Sequence, residues 1–158
     1  MRILACDPGY ERLGLAVLEK TVGKEVLLYS TCYKTSAKLT HPERLALIGA
    51  EVGRVIAEYK PQALAIETLF FANNQKTAMQ VSEARGTILY EAKRQGLMVS
   101  EYRPMEVKIA VTGYGKSDKS QVTAMVGKLI KINKKIQYDD EYDAIAIGLT
   151  YFAIEKTK

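Results

Sequence analysis

Two rhythms of apolar residues run through this chain. Short unbroken runs, Ile3-Leu4-Ala5-Cys6 and Ala63-Leu64-Ala65-Ile66, read as buried strands. Further strands are expected over about 13–18 and 26–33. The turns Asp7-Pro8-Gly9 and Val22-Gly23-Lys24 separate the first three into an antiparallel meander. A different rhythm follows Thr40-His41-Pro42-Glu43, where Leu45, Ile48, Val52, Val55, Ile56 and Tyr59 recur at helical spacing until Pro61. Thr40 and Glu43 stand at capping-box spacing. A second helix is predicted over about 74–95, stopping at Gly96, then a fifth strand over 97–102. Arg103-Pro104 opens a short helix to about 111, and Thr112-Gly113-Tyr114-Gly115 is a loop. Asp118 and Gln121 cap a helix reaching 130. The run Ala144-Ile145-Ala146-Ile147-Gly148-Leu149 marks a final buried helix from near Asp140 to about 155.

This order predicts an α/β fold, a five-stranded mixed sheet flanked by helices on both faces, in a single domain spanning 1–158. A right-handed strand–helix–strand crossover would set the fourth strand parallel to the first. Asp7 and Glu67 would then stand at neighbouring C-terminal strand ends, where open α/β sheets place their ligands.

Composition narrows the function class only modestly. With 158 residues the chain can bury a sizeable core, and no apolar stretch approaches the ~20 residues needed to cross a bilayer. Met1-Arg2-Ile3 enters a strand at once, without the cleavage site of a signal peptide, so a cytoplasmic location and no membrane partner are expected. Two cysteines, Cys6 and Cys32, are too few for a disulfide framework and, with His41, too few for a zinc site; buried thiols are expected. The net charge of +5 permits a polyanionic partner, and lysines dominate 116–135 while the acids gather in a few places. A basic rim around an acidic pocket suits a nuclease.

The acids carry the candidate chemistry. Asp7, Glu67 and the pair Asp140/Asp143 each sit where an apolar segment meets solvent. Converging carboxylates repel, and a hard divalent cation relieves them, which points to metal-dependent phosphoryl chemistry. Plainer roles exist: Asp-Pro-Gly makes a turn unaided, and one or two of Asp139, Asp140, Glu141 and Asp143 are expected only to cap a helix.

Asp7-Pro8-Gly9 with Gly14-Leu15-Ala16-Val17, Ala65-Ile66-Glu67 with Phe70-Phe71-Ala72-Asn73-Asn74, Glu83-Ala84-Arg85-Gly86, the glycine-rich stretch from Thr112 to Val122, and Asp140-Glu141-Tyr142-Asp143-Ala144-Ile145-Ala146 occur in order. Together they resemble the motifs of the RuvC family of Holliday junction resolvases, in the ribonuclease H-like superfamily. The resemblance implies that Asp7, Glu67, Asp140 and Asp143 are catalytic and hold two magnesium ions per subunit, with manganese as a substitute. It implies a homodimer that nicks two strands of a four-way DNA junction symmetrically and works with RuvA and RuvB. Cys6 before the first acid, and a chain ending at Lys158, depart from the commoner pattern.

DNA contacts are expected from Phe70, Phe71, Asn74, Lys76, Arg85, Lys108, Lys116 and Lys119. Phe70 is the candidate to stack on an unpaired base, and glycines 113 and 115 would admit a phosphate to the backbone. On the second helix, Met79, Ser82, Gly86 and Leu89 form a second stripe, expected to be the dimer interface. The competing readings are a ribonuclease H-like nuclease acting on other nucleic acids, a junction-binding scaffold without catalysis, and an actin-like ATPase. The last would need two such domains.

Overall fold

The computed structural model describes residues 1–69 and 75–155. Its elements are β1 (Arg2–Asp7), β2 (Arg12–Thr21), β3 (Lys24–Lys34), α1 (His41–Tyr59), β4 (Ala63–Glu67), α2 (Gln75–Arg94), β5 (Met98–Tyr102), α3 (Pro104–Thr112), α4 (Lys119–Leu129) and α5 (Asp139–Ile154). The strands form one mixed sheet in the order β3-β2-β1-β4-β5. β1 pairs antiparallel with β2 and parallel with β4, and β4 is parallel to β5. The expected element order holds throughout. The hairpin between β2 and β3 is tighter than expected, because pairing continues to Thr21 and Lys24 and leaves Val22-Gly23 as the turn. Gly23 adopts φ 79°, a left-handed conformation that glycine takes without steric cost.

The unbroken apolar run of β1 follows from burial on both faces. Ile3 and Ala5 join one core with α3, α4 and α5; Leu4 and Cys6 join the other with α1 and α2. The α5 side of the sheet is lined by small residues, Ala5, Ala16, Ala63 and Ala65, so the helix packs close. At Gly148 an added Cβ would lie 2.5 Å from Leu18 Cδ1, which explains a glycine inside that helix.

Helix starts are set locally. The Glu43 carboxylate accepts from the Thr40 N–H at 2.7 Å, and Asp118 Oδ1 accepts from the Gln121 N–H at 2.9 Å, as their spacing predicts. Cys6 is fully buried, whereas Cys32, expected to be buried, is only half so, because it lies where β3 approaches the start of α5. No described helix is long and apolar enough to cross a membrane.

Candidate active site

The parallel register of β1 and β4 pairs Cys6 with Ile66, so the next residues, Asp7 and Glu67, finish side by side at the C-terminal edge of the sheet. Cys6 and Ile66 pack towards α1 and α2. By strand alternation the two acids face the other side, where α5 begins. Gly14, opposite Asp7 on β2, lets α5 reach them: an added Cβ would sit 2.0 Å from the Asp140 carbonyl oxygen and 3.2 Å from Asp7 Cβ. The four acids therefore gather from β1, β4 and the first turns of α5.

Their electrostatics record the crowding. Burial, then Glu67, Asp143 and Asp140, pushes the Asp7 carboxyl well above its ordinary range. Burial, then Asp143, pushes Glu67 up to about 7, against the pull of Lys119 and Lys108. Burial also raises Asp143, against its hydrogen bond from Lys119.

A pocket of about 220 Å³ opens beside them, lined by Glu67, Asp143, Lys108 and Lys119 over a floor of Pro104, Val107, Val122 and Ala146. The Lys119 ammonium stands 2.5 Å from Asp139 Oδ2 and 2.9 Å from Asp143 Oδ2. Burial disfavours its charge, but these two carboxylates outweigh that and hold its proton more tightly than an ordinary lysine does. Arg12 Nε lies 3.3 Å from Asp140 Oδ2. Among the described residues, no three His, Cys, Asp or Glu side chains are drawn close enough to hold a metal ion as they stand. Two of the four acids, Asp140 and Asp143, are engaged by side-chain cations as they stand. The donor set itself, all carboxylate oxygen, with the proton affinity of Asp7, Glu67 and Asp143 raised by burial and by their acidic neighbours, fits a hard divalent cation.

The chain matches the family model described as "Crossover junction endodeoxyribonuclease RuvC" over residues 3–151. It is 44% identical to the protein of that name from Thermosipho melanesiensis over 148 residues, 94% of each chain. It is 39% identical to the one from Finegoldia magna over 158 residues, covering 100% of this chain and 96% of that one. The chain belongs to the RuvC family. A solved structure described as "T. thermophilus RuvC in complex with Holliday junction substrate" is 35% identical to it, with a TM-score of 0.88 over 96% of this chain and 92% of that one. The fold is accordingly ribonuclease H-like, as the motifs implied.

In this RuvC-family chain the other expected contacts divide. Lys108 and Lys119 line the pocket, and Lys116 is exposed on the neighbouring loop. Arg85 is different: its Nε donates to the Glu67 carbonyl at 3.0 Å and its guanidinium pairs with Glu101. It tethers the end of β4 to α2 and β5, so two of its nitrogens are engaged within the protein. Gly113 closes α3 at φ 78°, and Gly115 packs against Met105 and Ile109, where an added Cβ would come within 3.0 Å. Both thus have structural work in that loop. Phe70, Phe71 and Asn74, and the side chain of Lys76, lie outside the described residues.

On α2, Met79, Ser82 and Gly86 are exposed, with Tyr90 alongside, but Leu89 is half-buried against the α1-side core. The exposed stripe is therefore narrower than expected. The helix packs on α1 and β5, whereas α4 packs on α3 and α5.

The acids at the start of α5 were expected to include one or two that only cap the helix; two of them do other things. Asp139 holds Lys119. Glu141, 5% accessible, accepts from Ser30 Oγ at 2.6 Å and pairs with Lys134, whose Nζ also donates to the Ser30 carbonyl at 2.6 Å. Sequence reasoning missed this anchor and the Arg12–Asp140 contact. Their partners come from β2, β3 and the α4–α5 connection, and only an acid inside an apolar helix hinted at the first.

Proposed function

We propose that this chain is a single-domain endonuclease that resolves four-way DNA junctions, with Asp7, Glu67, Asp140 and Asp143 as its catalytic, metal-holding carboxylates. The observation that carries this reading is the convergence of those four acids beside Lys108 and Lys119 at one end of the sheet. The solved Thermus thermophilus relative, described as a complex with Holliday junction substrate, supports the junction as substrate.

Each side chain has a distinct task. Two magnesium ions per subunit, replaceable by manganese, would supply charge stabilisation for attacking and leaving oxygens during phosphodiester hydrolysis. Asp7, at the centre of the acids, would hold the ions together with Glu67 and the Asp140/Asp143 pair that flank it. Lys108 and Lys119 hold non-bridging phosphate oxygens and orient the scissile bond for in-line attack by water. Arg85 and Gly14 fix where Glu67 and Asp140 stand. The products carry a 5′-phosphate and a 3′-hydroxyl. A homodimer through the exposed face of α2 would supply two such sites for paired symmetrical nicks. RuvA and RuvB are the expected partners, and a cytoplasmic location accords with this role.

The test is cleavage of a labelled synthetic four-way junction, with magnesium or chelator, by wild type and Asp7→Asn, beside a linear duplex. Paired nicks that need both magnesium and Asp7 and spare the duplex are expected. Tight binding without nicking would turn the reading into a scaffold, and equal cutting of the duplex into a general nuclease.

A further inference from the structure

Arg44, near the start of α1, is only 8% accessible. A guanidinium is always charged and carries five N–H donors, so burial at this level ordinarily comes with close pairing. Among the described residues the pairing here is loose: the carboxylate of exposed Glu11 makes a long ion pair at 3.7 Å, beyond hydrogen-bond reach, and the guanidinium lies over the Tyr10 ring, 5.6 Å from its centroid. Arg44 lines a pocket of about 270 Å³ with Tyr10, Glu11, His41 and Gln80. Two polar atoms of those residues are buried without a hydrogen-bond partner among the described residues, His41 Nδ1 and Gln80 Oε1. The His41 ring is held from its other side, with Nε2 2.6 Å from Glu83 Oε2. Native structures leave few such groups unsatisfied, and each calls for an explanation. A loosely paired, largely buried cation and two orphaned atoms around one cavity describe a site shaped for a polar, anionic ligand.

We infer that this pocket binds a backbone phosphate of the DNA, at a position separate from the carboxylates. The inference rests on the reading of the chain as a DNA enzyme. The Arg44 fork matches two phosphate oxygens. The Gln80 amide, whose oxygen and nitrogen exchange by a flip, donates to a third. A water carried by the phosphate donates to His41 Nδ1. Glu11, exposed and loosely placed, is the counter-charge that the phosphate displaces. Tyr10 lies three residues beyond Asp7 on the β1–β2 loop and packs on the α1 side of the sheet, while the carboxylates face α5. A strand crossing the end of β1 would meet both sites.

The test is fluorescence anisotropy with a labelled four-way junction in chelator, over a series of salt concentrations, all variants carrying Asp7→Asn to prevent cleavage. Arg44→Gln should weaken binding about tenfold and lower the slope of log K against log salt by about 0.9, the signature of one lost phosphate contact. Glu11→Gln should tighten binding several-fold, and Gln80→Glu should weaken it. Should Arg44→Gln not fold, the other two variants decide: unchanged affinity and slope in both would overturn the inference. So would an Arg44→Gln protein that folds and binds as the parent does. Inorganic phosphate, titrated against thermal stability, separates the sources. Stabilisation by phosphate that needs Arg44, without any effect of the variants on DNA, would assign the pocket to a free anion and overturn the DNA ligand. If the parent binds no DNA at all, the DNA reading fails first, and the pocket's ligand with it.

Discussion

Lys119 lies 2.9 Å from Asp143, in the pocket where the resolvase reading needs a metal ion. The ammonium neutralises acids that would otherwise repel one another, and it must yield at least one of them for an ion to bind. Lys119→Gln should therefore bind manganese several-fold more tightly by calorimetry. At saturating metal it should cleave about 10²-fold more slowly, the loss expected when one charge-stabilising donor is removed. Unchanged metal affinity would show that Lys119 does not compete for the acids.

Glu67 gives the site a pH signature. Because its carboxyl is pushed up to about 7, it takes up a proton on folding. Its contribution to stability is complete below the ordinary carboxylate pKa and is lost as pH rises through about 7. In metal-free protein, Glu67→Gln should thus become progressively more stable than wild type between about pH 5 and about pH 8. Parallel melting curves across that range would count against the burial described.

Glu141 tests whether catalysis depends on an anchor that touches no substrate. Glu141→Gln keeps the size of the side chain but removes the charge that Lys134 pairs with. A loss of about 1–3 kcal/mol is expected from chemical denaturation, because the carboxylate is buried and its partner is half-exposed. The magnesium concentration for half-maximal cleavage should rise as the first turn of α5 loosens around Asp140 and Asp143. A stability loss with an unchanged magnesium requirement would make the anchor purely structural.

Gly14 offers a steric test. Gly14→Ala would push the Asp140 carbonyl from a distance of 2.0 Å, so the start of α5 must move. Cleavage should fall by more than tenfold while the thermal midpoint drops by the few degrees expected of about 1–3 kcal/mol of overpacking. A folded variant with full activity would mean that α5 can shift without disturbing the acids.

Most of the framework was legible because local signals agree with the global fold. The runs at Ile3 and Ala63 are unbroken since both faces of those strands are covered, and Asp7 and Glu67 stand at their ends for the same reason. Asp118 and Gln121 cap α4 as their spacing demands. What escaped depends on contacts between distant segments. Ser30 and Glu141 are 111 positions apart, and nothing in either neighbourhood announces the other. Arg85 sits within a family motif, yet only the folded chain shows its guanidinium spanning Glu67 and Glu101. Arg44 reads as one more polar residue on an amphipathic helix until its burial is known.

The position of β3 at the margin of the sheet has a further consequence. A marginal strand offers unpaired carbonyls and amides to any passing chain, which is a route to aggregation. Lys134 donates to the Ser30 carbonyl of that strand while pairing with Glu141. The side chain that steadies the start of α5 therefore also places a charge against the open margin of β3. Loss of Lys134 should show itself first in the tendency of the protein to self-associate on heating.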